Sequence, residues 1–276
     1  MSLPPLPVDL VLPKLISTIK ETSAVVLRAA TGAGKTTRVP PALLDAGLAG
    51  TGTIVMLEPR RLAAQTAARR MAQERNGTVG GEVGYQIRFD RKIGPDTRIR
   101  VVTERIFVRM LQDDPFLEQV GLVIFDEFHE RNLDSDLALA MARRVQQDAR
   151  PDLKTVVMSA TLDPEPLARF LCCPVIESDG RLHPVEIQYL RHPTNGSIHQ
   201  VAAAGIEQIL HETDGDVLAF LPGVGEIRRT KMELEGIAKR LDLAVMELYG
   251  DLPAEQQDAA LRPADRRKIV LATNVA

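Results

Sequence analysis

Short runs of β-branched and aliphatic residues alternate along the chain with longer stretches whose apolar positions recur at helical spacing. "AVVLRAA" (24–30), "TIVMLEP" (53–59), "IRVVTE" (99–104), "LVIFDE" (122–127) and "KTVVMSA" (154–160) predict strands. "RLAAQTAARRMAQER" (61–75) and "LDSDLALAMARRVQQDA" (133–149) predict helices between them. Strands that are apolar almost without interruption fit a parallel sheet covered on both faces. The pattern breaks at "CCPVIESDGRLHPVEIQYLRHPTNGS" (172–197), which is rich in Pro, Gly and Asp. It restarts with helix 197–212, strand 216–223, helix 225–241, strand 244–250, helix 253–262 and strand 268–274. Two α/β domains are expected, 1–180 and 181–276, the second incomplete because the residues stop within or just after a strand.

Length and composition agree with that division. The 276 residues suit two domains, and 45% hydrophobic against 26% charged residues is ordinary globular composition. The apolar runs are too short and broken to span a membrane. The opening "MSLPPLPVDLVLPKL" has three prolines before residue 8 and no basic leader, unlike a signal peptide. Cys172 and Cys173, the only cysteines, are adjacent, so they cannot staple a fold and offer no zinc spacing. Reduced thiols in a cytoplasmic protein are expected. A net charge of −3 gives no overall basic footprint. Nucleic-acid binding would therefore rest on local clusters: "PRRLAAQTAARR" (59–70), "RFDRK" (88–92) and "RIRVVTERIFVR" (98–109).

The chemistry-bearing residues fall where the predicted strands end. "AATGAGKTT" (29–37) lies between a strand and a helix, the setting of a phosphate-binding loop. Backbone N–H groups of Thr31, Gly32, Ala33, Gly34, Lys35, Thr36 and Thr37 would cradle the phosphates of a nucleotide. Lys35 would neutralise the β- and γ-phosphates, and the Thr36 hydroxyl would hold Mg²⁺. Ala29 stands where the loop pattern has its first glycine. In "GLVIFDEFHER" (121–131), a buried strand runs into two adjacent carboxylates that repel one another unless a metal offsets them. Asp126 would bind Mg²⁺ through its water shell and Glu127 would polarise the attacking water. His129 would face the same side if the chain stays extended. "MSATLD" (158–163) ends another strand on two small hydroxyl residues, Ser159 and Thr161, able to relay hydrogen bonds from the carboxylates.

"ATGAGKTT", "EPRRLAA", "TER", "DEFHER", "SATLD", "FLPGVGEI", "LYGDLPAEQQ" and "IVLATNVA" occur in the order and spacing of the DEAH-box superfamily 2 RNA helicases, which the chain resembles over nearly its whole length. The opening "LPPLPVDLVLPKL" and Phe128 in place of alanine are most similar to a bacterial branch of that family. The resemblance implies tandem RecA-like P-loop NTPase domains that bind ATP and Mg²⁺ and carry single-stranded RNA, with DNA left open. It implies catalytic roles for Lys35, Asp126, Glu127 and His129, and coupling of hydrolysis to movement by Ser159 and Thr161. Arg60, Arg61, Thr103, Glu104, Gly223 and Thr273 match nucleic-acid contacts, with Asn274 following in the same motif. Arg70 matches an arginine that stacks on adenine.

No Lys or Arg here matches the family's arginine finger, which is worth about 10³–10⁵ in rate, so weak hydrolysis by a truncated, monomeric form is expected. Two other classes account for part of the pattern. A P-loop ATPase that does not act on nucleic acid explains the phosphate loop but leaves "EPRRLAA" idle. A non-catalytic nucleotide-binding module explains the fold without turnover.

Overall fold

A computed structural model of the chain describes residues 4–161, 163–178, 185–189 and 196–274. The chain divides into two compact units, Met1–Pro184 and Val185–Ala276. The boundary expected between 180 and 181 lies outside the described residues.

In the first unit the elements run α1 (Leu12–Glu21), β1 (Ala24–Ala29), α2 (Lys35–Asp45), β2 (Thr53–Leu57), α3 (Arg61–Glu74), β3 (Val83–Ile87), β4 (Asp90–Lys92), β5 (Ile99–Val102), α4 (Glu104–Asp113), β6 (Val120–Phe125), α5 (Leu133–Asp148), β7 (Lys154–Ser159), α6 (Pro164–Leu171) and β8 (Val175–Ser178). They form one sheet of order β4-β3-β5-β2-β6-β7-β1-β8, parallel except for the β3–β4 pair. Alternate residues of each strand serve opposite faces. Val25 and Leu27 of β1 join the core under α1, α2 and α3. Ala24 and Val26 join the core under α4, α5 and α6. Both faces are therefore apolar, and β6 is buried from Leu122 to Phe125. Gly121 in β6 is required sterically, since a Cβ there would lie 2.1 Å from the carbonyl oxygen of Ala49.

All five strands read from periodicity in this unit form. Three others do not stand out in the sequence. β3 contains Gly84 and a half-buried Gln86, β4 is a three-residue edge, and β8 lies inside the stretch read as a break. β8 pairs with β1 from Val26↔Val175 to Ala29↔Ser178.

The second unit contains α7 (Ile198–Glu212), β9 (Val217–Phe220), α8 (Val224–Arg240), β10 (Ala244–Leu248), α9 (Ala254–Leu261) and β11 (Lys268–Ala272). Its parallel sheet has the order β10-β11-β9. Ile206 and Leu210 of α7 pack with Ile227, Leu234 and Ile237 of α8 over Val217, Ile269 and Leu271.

Candidate nucleotide site

In an open parallel sheet the carboxyl ends of the strands form the ligand-binding edge. Here β5, β2, β6, β7 and β1 are consecutive neighbours. Their ends deliver Thr103, Glu58, Asp126, Ser159 and the 30–34 loop to one edge.

The loop after β1 is shaped by two glycines in the left-handed region, Gly32 at φ 78° and Gly34 at φ 89°. Gly34 also caps the amino end of α2, whose first turn is Lys35-Thr36-Thr37. A Cβ at Gly34 would come within 2.5 Å of Leu6 Cδ1, so glycine is needed here for space as well as for φ. The amino-terminal segment thus lies directly against the loop, and the N–H of buried Val8 donates to the carbonyl of Ala33 at 3.0 Å. The departure at Ala29 has a simple cause. Ala29 is still regular strand, paired with Ser178, and needs no glycine backbone.

Lys35 is only 3% exposed, and its Nζ lies 2.7 Å from Glu127 Oε1. The Thr36 hydroxyl donates to Asp126 Oδ2 at 2.5 Å, and the Glu127 N–H donates to Asp126 Oδ1 at 2.8 Å. The first turn of α2 and the end of β6 are therefore joined through their side chains. Burial pushes the Asp126 carboxyl above its usual range, Glu127 adds to this, and Lys35 and Thr36 oppose it. Among the described residues no three His, Cys, Asp or Glu side chains gather into a metal cage. The available pair is a hydroxyl and a carboxylate, all-oxygen donors that suit Mg²⁺, an ion that keeps several waters and takes the rest from phosphates.

The chain does not stay extended after Asp126, contrary to the condition attached to His129. Glu127 adopts φ 46°, ψ 35°, and Phe128–Glu130 form a single 3₁₀ turn. The turn itself returns His129 to the site, where Nδ1 is 3.3 Å from Glu127 Oε2 and 3.4 Å from the Ala160 N–H. One nitrogen cannot accept from Ala160 and donate to Glu127 together, so the tautomer selects between the end of β6 and the end of β7. Ser159 is buried at the end of β7 and Thr161 is exposed just beyond it.

Glu58 escaped the sequence reading. It follows β2 as Asp126 follows β6, and that shared position was the available signal. It is 2% exposed. Its N–H donates to Val102 O and the Asp126 N–H donates to Leu57 O, so the two carboxyls stand side by side where the ladder closes. Burial first, then the charge of Asp126 and a hydrogen bond with it, hold the Glu58 carboxyl well above the usual range. Glu127 and Glu104 push it the same way.

The other singled-out residues divide by location. Arg60 caps α3 and pairs with Glu130 at 3.0 Å, while Arg61 is exposed in the first turn. Thr103 caps α4 and is half-buried. Glu104 is only 7% exposed and accepts from Ser135 Oγ at 3.0 Å and Asn132 Nδ2 at 3.3 Å. Its carboxylate thus ties α4 to the cap of α5 and faces protein. Arg70 is exposed on α3 and pairs with Glu74 at 2.6 Å. In the second unit Gly223 caps α8 with an extended φ of −166°, and the Thr273 N–H donates to Leu248 O at 3.1 Å.

A parallel sheet with a phosphate-loop geometry after β1 and a carboxylate pair after β6 defines a P-loop NTPase core. Residues 13–170 match the family DEAD/DEAH box helicase, and the chain belongs to that family. It is 47% identical to the ATP-dependent RNA helicase HrpB of Escherichia coli K12 over 98% of its length, covering 34% of that protein. It is 35% identical to the ATP-dependent RNA helicase HrpA of the same organism, again over 98% of the chain and 21% of HrpA. The crystal structure of the E. coli DEAH/RHA helicase HrpB superimposes with a TM-score of 0.89 at 46% identity, covering 98% of this chain and 35% of that one. The chain thus spans about a third of the length of the HrpB it matches.

Proposed function

We propose that the chain binds Mg²⁺–ATP on the loop after β1 and hydrolyses it in response to single-stranded RNA, as the motor part of an RNA helicase. The observation that carries this is the double link between α2 and β6, Lys35 to Glu127 at 2.7 Å and Thr36 to Asp126 at 2.5 Å. A triphosphate offers Lys35 a stronger partner than a carboxylate does. On binding, Lys35 Nζ passes from Glu127 to the phosphate oxygens, and Glu127 Oε1 becomes free to accept a proton from water. Thr36 and Asp126 are the residues that would hold Mg²⁺, which offsets charge on the phosphates. His129, in contact with both Glu127 and the backbone after Ser159, links the hydrolytic carboxylate to the β7 end, with Thr161 beyond it. Arg70 lies against adenine.

Residues 1–180 are proposed as a RecA-like ATP-binding domain and 181–276 as part of a second one, with Gly223 and Thr273 on its RNA-facing edge, in a cytoplasmic monomer. Arg60, Arg61 and Thr103 contribute backbone-directed contacts on the first domain. The basic hairpin between β3 and β4 adds an aromatic platform: Phe89 is 89% exposed, with the Arg88 guanidinium 4.6 Å from its ring centre. Basic groups interleaved with aromatic rings suit single-stranded polynucleotides.

The test is ATP turnover with and without single-stranded RNA, and with single-stranded DNA as a parallel arm. Stimulation by RNA is expected. Glu127→Gln is expected to keep ADP affinity while turnover falls about 10²–10⁴-fold. Turnover indifferent to polynucleotide would remove the helicase reading and leave a P-loop ATPase of another kind.

A further inference from the structure

The turn that carries Glu127 is bracketed by two non-glycine residues at positive φ, Glu127 at φ 46° in the left-handed conformation and Arg131 at φ 38°. Such conformations persist only where surrounding contacts impose them. Of the turn's side chains, Phe128 alone goes into the core, with 3% exposure. Its ring meets Phe125 edge-on, centroids 6.0 Å apart at 87°. Phe125 in turn meets Phe107 of α4 at 6.1 Å and 82°. The outer face of Phe128 is covered by Arg131, whose guanidinium lies 5.5 Å from the ring centre and is held by Asp136 at 2.8 Å.

We propose that Phe128 is a positioning residue for the hydrolytic carboxylate: its ring, keyed into Phe125 and Phe107 and covered by Arg131, holds the left-handed turn that aims Glu127 at Lys35. The inference rests on the proposed role of Glu127 in ATP hydrolysis. The geometry explains why a large ring is placed here. Phe128 and Arg131 line a groove of about 440 Å³ together with Asp136, Leu139, Leu167 and Phe170. With alanine at 128 the space left by the ring would merge with that groove and fill with water. The turn would lose its aromatic anchor, leaving the polar contacts of Glu127 with Lys35, Asp126 and His129 to oppose its relaxation from φ 46°. His129, on the other side of Phe128, would lose its approach to Glu127 and Ala160 as well.

The experiment compares F128A, F128L and R131A with the parent in ATP turnover and ADP affinity, with E127Q in parallel. F128A is expected to lower kcat about tenfold while KM and ADP affinity stay within about twofold, the signature of a misaimed group rather than lost binding. F128L keeps most of the volume and is expected to recover most of kcat. R131A removes the cover from a half-exposed position and is expected to lower kcat about threefold. A crystal structure of F128A is expected to show Glu127 withdrawn from its 2.7 Å approach to Lys35. Parental kcat in F128A, or equal losses of kcat and ADP affinity, overturns the inference. If F128A does not fold, R131A decides, and parental kcat there overturns it. Undiminished turnover in E127Q would instead remove the hydrolytic role of Glu127 itself. An inactive E127Q beside a fully active F128A sinks only the positioning role of the ring.

Discussion

Glu58 shows how a buried carboxyl shapes a site although no role was assigned to it within "EPRRLAA", the motif it opens. It sits beside Asp126 with Glu127 and Glu104 near, so an added negative charge there is opposed by burial and by like charges together. The group keeps its proton in the folded state well above the ordinary value of 4.5. The sign follows from linkage. Between the ordinary and the raised value the folded chain binds more protons than the unfolded one, so stability falls as pH rises through that window. Each pH unit of the window amounts to about 1.4 kcal/mol. Glu58→Gln retains a donor toward Asp126 and cannot ionise. Its Tm is expected to decline less than the parent's as pH is raised from about 5 to about 8. Parallel Tm profiles for the two chains would show that Glu58 does not carry the pH dependence. Because Glu58 and Asp126 share a hydrogen bond, the parent's profile reports the pair and not either residue alone.

At the scale of elements, the loop before α2 is where local pattern and distant packing meet. Gly32 and Gly34 both need positive φ, and alanine at either costs about 1–2 kcal/mol on backbone grounds. They differ in their surroundings. A Cβ at Gly32 meets nothing within 4 Å among the described residues, whereas one at Gly34 strikes Leu6. Gly34→Ala is therefore expected to lower Tm and ADP affinity more than Gly32→Ala does, and Leu6→Ala is expected to restore part of the Gly34→Ala loss. Additive effects in that double-mutant cycle would mean that Leu6 does not constrain the loop. The same comparison marks what sequence alone could disclose. The two glycines, Lys35 and Thr36 were legible because their spacing is local. The seat of Leu6 under the loop was not, since it joins segments that are remote in sequence. The same limit hid β8, whose four residues become a strand only by pairing with β1. His129 was legible as a site residue. Its route there was not, because the 3₁₀ turn depends on Phe128 finding Phe125 and Phe107 in the folded core.

For the molecule as a whole, a net charge of −3 has to be reconciled with the proposed binding of a polyanion. The charge is unevenly spread, as the clusters in the sequence suggested, and the β3–β4 hairpin concentrates it physically. Arg88 stacks on exposed Phe89, and Arg91 and Lys92 are exposed on β4. Arg91 lies near enough to Arg100 of β5 to lower its pKa further, after burial has already done so. The Nε of Arg100 is buried without a hydrogen-bond partner among the described residues. Two like charges held close, Arg91 on the edge strand β4 and Arg100 on the interior strand β5, are relieved by an anion, and a phosphate of the proposed single-stranded RNA would supply one. Each such phosphate adds about 0.7 to the slope of log affinity against log salt on single strands. Arg91→Gln is accordingly expected to weaken RNA binding and to flatten that slope by about 0.7, whatever the RNA sequence. Fluorescence-anisotropy titrations at several salt concentrations measure both quantities. An unchanged slope would show that the strand passes elsewhere. A loss confined to particular RNA sequences would mean that the hairpin contacts bases rather than backbone.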